Sequence, residues 1–248
     1  MRIFVRRIYL YAFLFFLPGC STYYQTSAVQ YVNYKIEKGR QDSVLVKLVQ
    51  PYSDSVHVQM NKVIAVAGIT LDRKQPEGTL GNLVADAILI EGKKKFNTHI
   101  DASVMNIGGI RLNTLAAGDI TLGKIFEIAP FDNTLVILDV PSNILQELAD
   151  HISSLGGWPV SGLSWQISNK KAIDLKIQDK PIEPGKVYKI LTNDYVANGG
   201  DYCEMLRPLP VKTNGYLLRD ALIKYLIDLN KAGKKITASI ENRIVNAN

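Results

Sequence analysis

The stretch ASVMNIGGIR, residues 102–111, runs from a short apolar segment directly into a pair of glycines and an arginine. The apolar segment predicts a strand that ends at Asn106, a side chain with both a donor and an acceptor. Gly108 and Gly109 allow the backbone after it to approach a ligand closely or to adopt positive φ. Arg111 carries a planar set of donors that suits a carboxylate or a phosphate. Taken alone, however, the stretch fits a tight turn with a solvent-exposed arginine better than a binding site.

The stretch NDYVANGGD, residues 193–201, repeats this arrangement after another predicted strand. A second glycine pair, Gly199 and Gly200, again lies beside polar side chains. Asp201 only accepts hydrogen bonds when it is ionised, so it can bind a ribose diol or an exocyclic amine. Tyr195 presents a flat aromatic face. The recurrence of one arrangement after two strands shifts the interpretation towards a binding site.

A third loop, PFDN at residues 130–133, places Phe131 between a proline and two polar residues. This is an unusual position for a core side chain. Phe131 and Tyr195, from separate loops, could enclose a base between them, at roughly 1–3 kcal/mol for each stacked face. The alternative is structural: Phe131 would anchor its loop, and Tyr195 would cap a strand end on the core.

Hydrophobic periodicity predicts a mixture of helices and strands. Helices are predicted over residues 42–53, 79–92, 121–128, 142–154 and 217–233. Strands are predicted within residues 56–71 and over residues 102–106, 135–140, 162–168, 172–178, 186–192 and 244–245. Because hairpins outnumber crossovers, the pattern predicts an α+β fold: a single domain with mixed β-sheets flanked by helices, and not a doubly wound sheet.

The first twenty residues predict export. Three arginines precede an apolar run over residues 8–17, which is too short to span a bilayer in the ordinary way and is typical of a signal peptide. Residues 17–20, LPGC, resemble a bacterial lipobox, which implies cleavage before Cys20 and lipidation of its thiol. The alternative is a plain secretory signal with an incidental cysteine. Because Ser21 follows the cysteine, the resemblance to lipoproteins favours the outer membrane, with the periplasmic or the surface side left open.

These observations divide the chain into a lipoprotein signal peptide at residues 1–19, a lipidated tether at 20–32 and a folded domain at 33–248. The signal holds three arginines and no acids, so its removal lowers the net charge from +6 to +3. That mild excess gives no indication of a nucleic-acid polymer as partner. Besides Cys20, only Cys203 remains, so no disulfide framework is expected.

Six motifs follow one another along the chain and carry a family resemblance. They are LGNLVADA at 80–87, NIGGIR at 106–111, GDIT at 118–121, PF at 130–131, SG at 161–162 and NGGD at 198–201. In this order they resemble the C-terminal, substrate-binding domain of the 5'-nucleotidase family, over about residues 33–246. The resemblance implies that domain's fold and a nucleotide or nucleoside as ligand.

The resemblance also implies roles for individual residues. By motif position, the substrate-binding candidates are Asn106, Arg111, Phe131, Asn133, Tyr195, Asp201 and Lys74. Arg111 would bind phosphate, Asp201 would bind the ribose, Phe131 and Tyr195 would stack on the base, and the two asparagines would be polar contacts. The family often has a further arginine upstream of the LGNL motif, and whether Lys74 or its neighbour Arg73 takes that place stays open.

In the 5'-nucleotidase family a two-metal site in a separate N-terminal domain activates the attacking water. His57, His99 and His151 do not have the spacing of metal ligands. We therefore expect no catalytic residue and no cofactor in this chain, and divalent metals in a separately encoded metallophosphatase partner. The leading hypothesis is the nucleotide-binding lobe of a split 5'-nucleotidase. The alternatives are a stand-alone nucleotide- or nucleoside-binding lipoprotein and a scaffold whose site has decayed, so whether the chain serves an enzyme stays open.

Overall fold

The computed structural model of the chain describes residues 42–247. The predicted signal peptide, lipidated Cys20 and tether therefore lie outside the described residues. The chain divides into two units, residues 1–47 and 48–248. The first is described only from Asp42, whose carboxylate accepts the backbone N–H of Val44 at 2.8 Å and so caps helix α1 (Ser43–Met60).

Helix α1 continues past the predicted end at residue 53, with Pro51 inside it. The prediction of strand structure from residue 56 is therefore wrong for residues 56–60. The alternation of apolar residues there resembles a strand, but extending an established helix by a turn costs little. Strands β1 (Val63–Ala67) and β2 (Leu71–Asp72) occupy the rest of the predicted region.

The remaining elements follow in an irregular order. The helices are α2 (Thr79–Phe96), α3 (Leu122–Ile128), α4 (Ser142–Ser154), α5 (Asp194–Ala197) and α6 (Leu218–Lys231). The strands are β3 (Ala102–Val104), β4 (Thr114–Leu115), β5 (Gly118–Thr121), β6 (Thr134–Pro141), β7 (Val160–Ser161), β8 (Leu163–Ser168), β9 (Lys171–Ile177), β10 (Lys180–Pro181), β11 (Val187–Asn193), β12 (Val211–Leu217) and β13 (Ile244–Asn246).

The strands form mixed sheets, as predicted. The larger sheet has the order β12-β6-β11-β3-β7, in which β11 and β3 are parallel and the other pairs are antiparallel. A second sheet has the order β10-β9-β8-β13, with β13 parallel to β8. Two short antiparallel pairs, β1 with β5 and β2 with β4, complete the strands. The α+β class with mixed sheets is thus confirmed.

Both faces of the five-stranded sheet are covered, because consecutive apolar side chains on β6 point alternately to the two faces. On β6, Leu135 and Ile137 belong to the core that includes α2 and α6. Val136 and Leu138 belong to the other core, which includes α4 and the second sheet. The sheet is therefore a buried middle layer, and its strand ends carry the polar loops.

Strand directions bring three of these loops together. β3 and β11 are parallel neighbours, so the loops after them leave the same edge of the sheet. β6 is antiparallel to β11, with Leu135 opposite Asn193, so the loop before β6 reaches that edge too. The loops that carry Asn106, Phe131 and Tyr195 therefore converge.

Candidate functional site

A cavity of about 540 Å³ opens where these loops meet. It is lined by Asn106, Gly108, Gly109, Arg111, Phe131, Asp132, Asn133, Tyr195 and Asp201. All the predicted substrate-binding residues except Lys74 are in this lining. Side chains that are far apart in the sequence thus share one concave surface, which is the usual form of a small-molecule site.

The carboxylate of Asp201 is held by two side chains of the cavity. Asn106 donates its amide N–H to Oδ2 at 2.7 Å, and the Tyr195 hydroxyl lies 2.9 Å from Oδ1. The Tyr195 hydroxyl also accepts the backbone N–H of Asp201 at 3.2 Å. Asp201 itself has a left-handed backbone, with φ 51°, which is uncommon for a residue with a side chain.

Asn106 is buried and is fixed from behind. Asn193, the last residue of β11, donates its amide to the Asn106 amide oxygen at 3.0 Å. Asn193 also caps α5 by accepting the backbone N–H of Val196 at 2.8 Å. Because Asn193 takes the oxygen of the Asn106 amide, the nitrogen of that amide faces Asp201. The two parallel strands are thus joined through the polar side chains at their ends.

Two glycines are required by close packing. A Cβ on Gly109 would lie 2.3 Å from Cε of Met105 and 2.9 Å from the Asn106 amide oxygen. A Cβ on Gly200 would lie 2.5 Å from a ring carbon of Tyr195. Neither Gly109 nor Gly200 has positive φ. Glycine is therefore favoured at these positions because there is no space for a side chain, and not because the backbone conformation is unusual.

The two aromatic rings of the cavity are only half covered by protein. Phe131 is 49% exposed and Tyr195 is 47% exposed. A ring that served only to anchor its loop on the core would be buried. The exposure of both rings at the cavity is what a stacking role needs, and that role stays a prediction.

Arg111 carries a guanidinium that is free to bind a ligand. It approaches the backbone oxygen of Gly108 at 3.4 Å and lies 6.0 Å from the centre of the Phe131 ring. Within residues 42–247 it forms no ion pair with an acidic side chain. A cation at the cavity without an acidic partner is suited to an anionic ligand group.

Arg73 and Lys74 have different surroundings. Arg73 donates to the Ile110 backbone oxygen at 2.5 Å and to the Asn113 side chain at 2.6 Å, so it braces the segment that carries Arg111. The Lys74 side chain is 71% exposed, and its Nζ lies 3.7 Å from Asp72. Its place in a phosphate site stays a prediction.

Arg219 on α6 holds the Phe131 loop and was missed by the sequence interpretation. This arginine is buried, and it donates to the backbone oxygens of Ala129 at 3.3 Å and Pro130 at 3.2 Å and to Asp132 at 2.5 Å. Its guanidinium carbon lies 4.1 Å from the centre of the Phe126 ring. The only signal in the sequence was an arginine within the apolar stripe of a helix.

Asp194 connects the loops of the two aromatic residues. Its carboxylate accepts the Asn133 amide at 2.8 Å, the Thr134 hydroxyl at 2.9 Å and the Tyr195 backbone N–H at 2.9 Å. Burial raises the pKa of this carboxyl, but the donated hydrogen bonds outweigh burial and hold the pKa below its ordinary value. An ionised carboxylate only accepts, so Asn133 must face it with its NH₂ group, which leaves the Asn133 oxygen for other partners.

His151 on α4 supports Asp201 through the main chain. Its Nε2 lies 2.8 Å from the Asp201 backbone oxygen, and since a carbonyl only accepts, Nε2 carries the proton. The sequence interpretation considered His151 only as a metal ligand and missed this link to the cavity. Tyr202, the residue after Asp201, is 81% exposed and is not part of the cavity lining.

Across residues 42–247, no three His, Cys, Asp or Glu side chains are grouped so that they could hold a metal ion. In the same range, no helix combines the length and the apolar character needed to cross a membrane.

Comparison with known proteins agrees with the fold and the loop motifs. Residues 57–208 match the family described as "5'-nucleotidase, C-terminal domain". The chain is 30% identical over 197 residues to Protein UshA of Yersinia enterocolitica, which covers 75% of this chain and 34% of that protein. It is 29% identical over 206 residues to the trifunctional nucleotide phosphoesterase protein YfkN of Bacillus subtilis, covering 74% of this chain and 14% of that protein.

A solved structure of a 5'-nucleotidase precursor is also similar to this chain. The 5'-nucleotidase precursor from Thermus thermophilus superposes with a TM-score of 0.70 at 26% identity, covering 84% of this chain and 44% of that one. The chain thus spans less than half the length of each of these similar proteins. The family match over residues 57–208 includes all the loops of the cavity.

Proposed function

The chain belongs to the family of 5'-nucleotidase C-terminal domains, and from this membership we propose that it is the nucleotide-binding lobe of a split 5'-nucleotidase. The observation that carries the proposal is the convergence of Arg111, Phe131, Tyr195 and Asp201 on one cavity. Its volume, about 540 Å³, lies in the range of sites for small organic ligands and suits a ligand of the size of a nucleoside monophosphate.

Each residue has a role that follows from its chemistry. The half-exposed rings of Phe131 and Tyr195 take the base by stacking. Asp201, which only accepts, binds the sugar hydroxyls, and Asn106 keeps its carboxylate in place. Arg111 binds the phosphate through charge-assisted hydrogen bonds. These contacts would bind and orient a nucleotide, and Arg111, an exposed residue, would hold its phosphate within reach of a second lobe.

A separately encoded metallophosphatase is proposed to supply the chemistry. Support comes from the similar proteins, which include a 5'-nucleotidase precursor. This chain matches less than half the length of each of them. When bound, the divalent metals of that partner would activate the water that attacks phosphorus. The residues of this chain would fix the nucleotide so that its phosphate is correctly placed for attack.

The purified chain, beginning at Cys20, is expected to release no phosphate from AMP in the presence of Mn²⁺ or Zn²⁺, because the partner would supply the activated water. Phosphate release is the measurement. Hydrolysis that starts when an exported metallophosphatase-domain protein of the same organism is added supports the split enzyme. Metal-dependent turnover by the chain alone, abolished by replacing His57 or His99, would contradict it. Nucleotide binding without turnover in any combination supports the stand-alone binding protein.

Replacing Phe131 or Tyr195 with alanine is expected to weaken adenosine binding by roughly 1–3 kcal/mol in each case, through loss of stacking. Calorimetric titration measures the effect. Tyr52→Ala is the matched control, because Tyr52 is an exposed aromatic residue of α1 outside the cavity lining. If both cavity variants bind adenosine as the wild type does, the two rings only pack their loops.

We further propose that the chain is held at a bacterial outer membrane by lipid on Cys20. Acyl chains anchor by burial, at about 0.8 kcal/mol for each CH₂ group. Cys20→Ser is therefore expected to move the protein from the membrane fraction to the soluble fraction. Cell fractionation followed by a high-salt wash measures this. A variant that remains with the washed membranes would show that the lipobox assignment is wrong.

A further inference from the structure

The hydrogen bonds around Asp201 form a closed arrangement with one aromatic side chain. The Tyr195 hydroxyl donates to Asp201 Oδ1 at 2.9 Å and accepts the Asp201 backbone N–H at 3.2 Å. Tyr195 therefore contacts both the side chain and the main chain of Asp201. Both residues line the cavity, one with a ring face and the other with a carboxylate.

These contacts orient the Asp201 carboxylate but leave some of its hydrogen-bond acceptor positions free. Asn106 takes one position on Oδ2 at 2.7 Å, and Tyr195 takes one on Oδ1. Each carboxylate oxygen has two acceptor positions, so one position remains on each oxygen. Two free positions on one carboxylate match the two hydroxyls of a vicinal diol.

The ring of Tyr195 depends on the same bonds. It is 47% exposed, so packing covers only about half of it. On the protein side it lies against Gly200, where even a Cβ would come within 2.5 Å of a ring carbon. The hydrogen bonds between the Tyr195 hydroxyl and Asp201 therefore determine the position of the ring in the cavity.

Asp201 itself is held in place by residues other than Tyr195. Its backbone oxygen receives the N–H of His151 at 2.8 Å, and its carboxylate receives Asn106. Its left-handed φ of 51° is therefore held from two other elements of the fold. Asp201 is the fixed member of the pair, and Tyr195 is the member that it positions.

We propose that Asp201 is a positioning residue for the base-stacking ring of Tyr195, so that recognition of the sugar and recognition of the base are coupled through one hydrogen bond. The proposal rests on the proposed nucleotide site and adds that base stacking by Tyr195 depends on Asp201. A ligand without the 2' and 3' hydroxyls offers no diol to the Asp201 carboxylate. Its binding still depends on Asp201, because Asp201 positions the Tyr195 ring that stacks on the base.

The test uses adenosine and 2',3'-dideoxyadenosine, which differ only in the sugar diol. Asp201→Ala is expected to weaken dideoxyadenosine binding by about three- to tenfold, the cost of immobilising a side chain that is no longer positioned. Tyr195→Phe keeps the ring and removes the hydroxyl, so it should cause the same loss. The double variant should bind dideoxyadenosine no more weakly than either single variant. Calorimetry on the full chain gives all the dissociation constants.

Tyr202→Phe is the matched control and should leave both ligands unaffected, because the neighbouring Tyr202 is 81% exposed and outside the cavity lining. Unchanged dideoxyadenosine binding in folded Asp201→Ala would overturn the coupling. If that variant does not fold, unchanged binding in Tyr195→Phe decides against it equally. A wild-type chain that binds neither nucleoside would refute the nucleotide site itself. This outcome differs from one in which the wild type binds both nucleosides but Asp201 and Tyr195 contribute independently.

Discussion

Replacing Arg219 with methionine is expected to lower the free energy of unfolding by about 2–4 kcal/mol and to weaken adenosine binding by about tenfold. The stability loss comes mainly from the backbone oxygen of Ala129, a buried residue, which Arg219 supplies with a donor. The backbone oxygen of Pro130, an exposed residue, loses its bond to Arg219 as well. A buried carbonyl left without a donor costs roughly 1–3 kcal/mol. Loss of the contact with the Phe126 ring adds to this.

The binding loss has a separate cause. Arg219 fixes the residues on both sides of Phe131, since it bonds to the Pro130 oxygen and to the Asp132 carboxylate. Without these bonds the turn is free to move before a ligand arrives, and binding must then pay the entropy of ordering it. Stability and affinity should therefore fall together although Arg219 is absent from the cavity lining.

Urea unfolding measures the stability, and calorimetry measures the affinity for adenosine. Lys224→Met, on the same helix but exposed and paired with Asp228, should change the free energy of unfolding by less than about 0.5 kcal/mol. Arg219→Lys keeps the charge but loses the planar set of donors, so an intermediate loss is expected. Full adenosine affinity in a clearly destabilised Arg219→Met would show that the turn holds its shape without the arginine.

The Arg219 contact also shows where the sequence interpretation reached its limit. The loops at 106–111, 130–133 and 193–201 could be found because their signals are local: an apolar strand, a glycine pair and polar side chains next to one another. Arg219 acts on a backbone 90 residues away, and His151 acts on one 50 residues away. No local pattern marks such a pair, since it exists only once the sheet and the helices have assembled.

Element boundaries failed for a related reason. Strand β12 was not predicted, because most of its residues are exposed and it lies at the edge of the sheet, where no buried face imposes alternation. Residues 56–60 alternate as a strand would but continue α1. The largely buried strands β6 and β11 were predicted to within a residue or two, because a strand covered on both faces is rich in apolar residues.

Replacing Arg111 with alanine is expected to weaken AMP binding by about 10- to 100-fold and to leave adenosine binding within about twofold, which corresponds to charge-assisted hydrogen bonds of roughly 1.5–3 kcal/mol. AMP and adenosine differ only in the phosphate, so the comparison isolates that group. Arg111 also lies 6.0 Å from the centre of the Phe131 ring, but this is the outer limit of a cation–π contact and should contribute little to the base.

Two matched variants make the Arg111 result specific. Arg111→Lys keeps a positive charge but loses the paired donors, so it should lose part of the AMP affinity. Lys74→Met removes a charge that is 71% exposed and outside the cavity lining, so its effect should be smaller than that of Arg111→Ala. Salt should reduce the preference for AMP over adenosine in the wild type more than in Arg111→Ala, because an exposed charge is screened. Equal losses for AMP and adenosine in Arg111→Ala would mean that the arginine supports the cavity as a whole and does not bind the phosphate.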